Sequence, residues 1–122
     1  MKAYKIVKIN NANERLSLFI KDPKMIIKYK LQEWVTPRKG FGPLCCFDSL
    51  ESIKKFIDSL GNVKEFFDEI FDNHSKRWEV WECEIELSEL KKVWRRHSEF
   101  YLEDLPKGTV LADRVKLLRR VL

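Results

Sequence analysis

The chain has 122 residues, with 24 Lys plus Arg against 19 Asp plus Glu, a formal net charge of +5 and a pI near 9.1. Apolar residues make up 44% and charged residues 35%, which suits one domain with a core and excludes wholesale disorder. No apolar run approaches the ~20 residues of a membrane span, and the start at Met1 lacks the apolar stretch of a secretory signal, so a soluble, cytoplasmic, single-domain protein is expected.

In chain order, Lys2 to Ile9 alternates as a strand, Asn10 to Asn13 reads as a turn, and Leu16 to Ile20 as the hairpin partner. Pro23 breaks that partner; Met25 to Leu31 is a third β-type run and Glu33 to Thr36 a short fourth. Arg38 to Pro43 is a glycine-containing loop before the apolar Leu44-Cys45-Cys46-Phe47, which fits a buried strand. Asp48-Ser49-Leu50-Glu51 reads as a capping box, with Asp48 accepting and Glu51 reaching back. Behind it Leu50, Ile53, Phe56, Ile57 and Leu60 form one face of a helix over 49–60, and Gly61 suits its end. Val63, Phe66, Phe67, Ile70 and Phe71 predict a second helix over 63–72.

From Arg77 to Leu87 the period returns to two, with Trp81, Cys83, Ile85 and Leu87 inward and Trp78, Val80, Glu82, Glu84 and Glu86 outward. Ser88 to Arg96 reads as a short helix, Leu105 to Thr109 as a turn, and Val110 to Val121 as one long or two short strands. The expected fold is therefore α+β: a mainly antiparallel sheet of five to six strands with two helices packed on one face. Apolar residues left over at one surface point to a homodimer.

Charge is segmented. Residues 1–47 hold ten basic and three acidic side chains, 48–90 hold five and twelve, and 91–122 hold nine and four. A basic region assembled from both ends of the chain follows. Phosphate-loop, dinucleotide-fold and zinc-protease motifs are all missing. Cys45 and Cys46 are adjacent, Cys83 is distant, and neither they nor His74 and His97 have metal-ligand spacing, so reduced core thiols and surface histidines are expected, with no metal and no cofactor. Glu82, Glu84 and Glu86 on one strand face admit an ADP-ribosyltransferase-like reading, against which stands a solvated outer strand face.

The basic and aromatic residues carry more. If 110–121 is a strand, Arg114, Lys116 and Arg120 share one face and Arg119 takes the other, while Trp94 sits among Lys91, Lys92, Arg95 and Arg96. Arginine grips phosphate and an adjacent ring stacks on a base, so the ligand expected is a small anionic nucleotide, with nucleic acid the lesser alternative. The competing reading makes the tryptophans core residues and pairs the cations with the central acids.

The order of Gly42-Pro43-Leu44-Cys45-Cys46-Phe47-Asp48-Ser49-Leu50-Glu51, then Val80-Trp81-Glu82-Cys83-Glu84-Ile85, then Leu105-Pro106-Lys107-Gly108-Thr109-Val110-Leu111-Ala112-Asp113 resembles small phage-encoded proteins. Among these it is most similar to the first Thoeris anti-defence family, sponges for cyclic ADP-ribose signals. The resemblance implies a non-catalytic homodimer that sequesters such a signal in the host cytoplasm. It also implies that Arg114 and Arg120 hold the diphosphate, and leaves Trp78, Trp81 and Trp94 as candidates to stack on the adenine.

Overall fold

The computed structural model describes residues 1–10, 12–17, 26–61, 78–95 and 98–122. In chain order these form β1 (Lys2–Ile9), β2 (Arg15–Ser17), β3 (Trp34–Val35), β4 (Leu44–Phe47), α1 (Leu50–Gly61), β5 (Trp78–Leu87), β6 (Lys92–Arg95), β7 (Ser98–Tyr101), a 3-10 turn (Leu102–Asp104) and β8 (Thr109–Arg120). Strand accounts for 52%, all of it antiparallel, with one α-helix among the described residues. The helix predicted over 63–72, His74 and His97 lie outside the described residues.

Strands β1, β4, β8 and β5 pair in a ring and close a four-stranded barrel, with β2 added to β1 and β3 to β8. A barrel of four strands has a narrow interior, because diameter grows with strand number. Small side chains meet that demand: Ala3, Cys46, Cys83 and Ala112 are fully buried there beside Val7, Val115 and Leu117. Burial pushes the Cys46 thiol up to about 11 and raises the Cys83 thiol as well, so both stay protonated at neutral pH. All three cysteines are free.

Outside the barrel, α1 lays Ile53, fully buried, with Leu50, Phe56 and Ile57 against Ile6, Phe47 and Val80. Its cap differs from the expected one. Ser49 is the capping residue and accepts from the Ser52 backbone N–H at 3.1 Å, while Asp48 accepts from the Ser52 hydroxyl at 3.0 Å. Glu51 turns away and pairs with Lys55 one turn on, at 3.3 Å. Gly108 seats the 105–109 turn on this cap: its φ is +89° and a Cβ there would lie 2.3 Å from the Ser52 hydroxyl.

Three further expectations are corrected. Residues 26–31 form only an isolated bridge, Leu16 to Lys28, because the chain turns at once through Gln32, whose φ is +62°. Within the expected 88–96 helix the described residues 88–95 form no helix and include β6; its Val93 is buried and its partner β7 supplies the hydrogen bonds a short amphipathic helix would have made internally. On β5, Leu87 is 53% exposed while Glu79 and Glu82 are buried, so the strand is enclosed on both faces over its first half and emerges only at its end. Strand β8 is a single long strand, as one of the two expected alternatives had it.

Candidate functional site

β8 contains two irregularities in its pairing with β5. Glu82 faces Arg119 while the next residue, Cys83, faces Leu117, which leaves Leu118 as an extra residue on β8. An extra residue shifts every later side chain to the opposite face. The face shared by Arg114 and Lys116 therefore continues to Arg119, and Arg120 goes to the other side. Strict alternation across 110–121 predicted the reverse; the bulge is the reason it fails.

On the outward face the register sets Glu86, Glu84 and Glu82 opposite Arg114, Lys116 and Arg119. Arg114 pairs with Glu86; Arg119 reaches Glu82 at 2.7 Å, and Lys2 reaches the same carboxylate at 3.0 Å. Those two cations hold the Glu82 carboxyl below the usual carboxylate range. Glu84 receives the Met1 amino group at 2.8 Å. The three acids are therefore ion-pair partners, and Glu82 is not the solvated residue expected.

Strand β3 borders this face and brings in Trp34, paired opposite Lys116. The Arg114 guanidinium lies 4.2 Å and the Lys116 ammonium 5.6 Å from the centroid of the Trp34 ring, which remains 38% exposed. Lys116 has no ion-pair partner among the described residues. Trp34 also borders an open groove of about 610 Å³ whose walls include Lys28, Lys30 and Arg38 and, among the described residues, the single acid Glu33. Lys28 is held by Glu14 at 2.6 Å and Arg38 donates to the Ile26 carbonyl at 2.9 Å. Cations on an exposed indole beside a basic groove form a surface for an anion that carries a ring.

The other candidates fall elsewhere. Arg120 donates to Glu79 at 3.1 Å, and Glu79 also accepts from Arg15 at 3.0 Å and from the Trp81 indole N–H at 2.9 Å. Trp81 is buried, with Arg15 over its ring at 5.1 Å. Trp78 packs its ring toward α1's cluster and borders a cleft of about 520 Å³ with Arg15, Glu79 and Arg120. Trp94 belongs to β6 and rests on Gly42, where a Cβ would come within 2.4 Å of the indole; Gly42 donates its N–H to the Trp94 carbonyl at 3.0 Å.

The structure thus gathers Arg114 and Lys116 in one place, Arg120, Trp78 and Trp81 in a second, and Trp94 in a third. Trp34 completes the first group, and sequence reasoning passed it over because only strand pairing brings residue 34 beside residues 114 and 116. Among the described residues, no three His, Cys, Asp or Glu side chains are grouped as a metal ion would need, and no helix is long and apolar enough to cross a membrane. No protein-family model, curated protein or solved structure matches the chain.

Proposed function

We propose that this protein binds an anionic nucleotide on the Trp34 surface and does not transform it. The observation that carries the reading is the exposed indole with Arg114 and Lys116 at its ring, Lys116 having no acidic partner among the described residues. The cations attract phosphate, and the exposed part of the ring offers a base a stacking surface. The acids that a transferase would use, Glu82 and Glu84, are engaged by Lys2, Arg119 and the Met1 amino group, which favours binding over chemistry. Sequence resemblance narrows the ligand to the cyclic ADP-ribose class and the role to sequestering such a signal as a homodimer.

Calorimetric titration with cyclic ADP-ribose, ADP and NAD, followed by heat denaturation and mass analysis of the recovered ligand, tests this. Saturable binding with intact ligand recovered supports the proposal. Nicotinamide released from NAD overturns it in favour of a transferase. Affinity for single-stranded oligonucleotides that exceeds nucleotide affinity and falls steeply with salt assigns the surface to nucleic acid instead.

A further inference from the structure

A second site adjoins the Trp34 groove across the 26–30 segment, which gives Ile27 and Tyr29 to it and Ile26, Ile27, Lys28 and Lys30 to the groove. Strands β1 and β4 share only the Tyr4–Phe47 pair, and beside it opens a cavity of about 400 Å³ that the β6–β7 ribbon flanks. That volume falls within the roughly 300–1,000 Å³ of small-molecule pockets. Most of its wall is apolar, including Ile6, Leu44, Phe47, Phe56, Val93 and Phe100. Among the described residues the lining holds no carboxylate and two cations, Lys5 and Arg95.

One of these cations has no acid of its own. Lys5 donates to the Cys45 carbonyl at 2.6 Å and lies 5.2 Å from the Tyr29 ring centroid, with no ion-pair partner among the described residues. Tyr29 is 3% exposed and its hydroxyl is closed off from the cavity. An ammonium without a counter-charge costs free energy in an apolar surrounding.

We propose that this cavity binds a monoanionic amphiphile, a carboxylate on an alkyl body. The carboxylate takes hydrogen bonds from the Lys5 ammonium, while Arg95 adds positive potential and the chain lies against Phe47, Phe56 and Phe100. The inference is independent of the nucleotide reading, since the two sites share no lining residue apart from Ile27.

The test is calorimetric titration of the full chain with decanoate and, as the uncharged control, 1-decanol. Decanoate should bind saturably and decanol about ten-fold or more weaker, as expected when a hydrogen bond to a charged group is lost. Arg95→Gln removes the second positive charge of the lining, so it should weaken decanoate several-fold while leaving decanol binding unchanged. Lys5→Met, checked for folding by circular dichroism, should remove the preference for decanoate over decanol. Saturating ADP should leave decanoate affinity unaltered. Equal binding of acid and alcohol, no decanoate binding at millimolar concentration, a decanoate preference undiminished in Lys5→Met, or displacement by ADP would each overturn the proposal.

Discussion

Arg15 lies over Trp81 at 5.1 Å and Arg114 lies over Trp34 at 4.2 Å, so the same stacked pair occurs at two places. Their surroundings differ in one respect. The Trp81 pair closes on a buried acid, Glu79, which takes hydrogen bonds from Arg15, Arg120 and the indole N–H. The Trp34 pair faces solvent, and its second cation, Lys116, has no acid among the described residues. Cations gathered around a buried carboxylate stabilise the fold, because removing the acid strands their charge. Cations gathered around an exposed ring leave charge and surface for a ligand.

The largest effect should come from breaking the closed cluster. Glu79→Ala leaves the Trp81 N–H unpaired and two arginines uncompensated, and should cost about 2–3 kcal/mol in urea unfolding, less than a fully buried pair because the arginines reach water. A loss below about 0.5 kcal/mol would erase the distinction between the two clusters.

Trp34→Ala should do the opposite. Stacking of one base on an aromatic contributes roughly 1–3 kcal/mol, so nucleotide affinity should fall about ten- to a hundred-fold while unfolding changes little. If stability falls and affinity does not, the exposed ring is structural.

Arg120→Ala separates the two clusters more finely. Its side chain is 57% exposed, so the loss of stability should be about 1 kcal/mol or less, and nucleotide affinity should be unchanged because the bulge turns it away from Trp34. An affinity loss comparable with that of Trp34→Ala would restore Arg120 to the binding surface.

The smallest effect concerns the outward acids. Glu82 sits below its ordinary value of 4.5 through Lys2 and then Arg119. Its folded form therefore binds fewer protons than the unfolded chain, and the stability it contributes is complete above 4.5 and lost as pH falls through and below that value. Unfolding followed across that range should have a shallower pH slope in Glu82→Gln; an unchanged slope would mean that other carboxylates dominate acid unfolding.

Local pattern was sufficient to determine much of this molecule. Alternation marked β1 and most of β5, a short apolar run marked β4, turn signals followed by β-branched residues marked β8, and the 3.6-residue stripe Leu50, Ile53, Phe56 and Ile57 marked α1, because each signal is complete within a few residues of its own segment. Core positions at Cys46, Cys83 and Trp81 were readable for the same reason. Long-range pairing decided the rest. That position 108 must be glycine depends on Ser52 at the start of α1, far off in the chain, and that 92–95 is a strand depends on the partner 98–101. The single extra residue at Leu118 reverses which arginines share a face, and no periodicity in 110–121 announces it. Trp34 meets Arg114 and Lys116 only through register, and Tyr29 meets Lys5 only because its segment hydrogen-bonds to β2, the neighbour of β1. A sequence states which residues have the chemistry for a site; closure of the barrel fixes which of them are neighbours, because contacts between strands depend on pairing across the chain rather than along it.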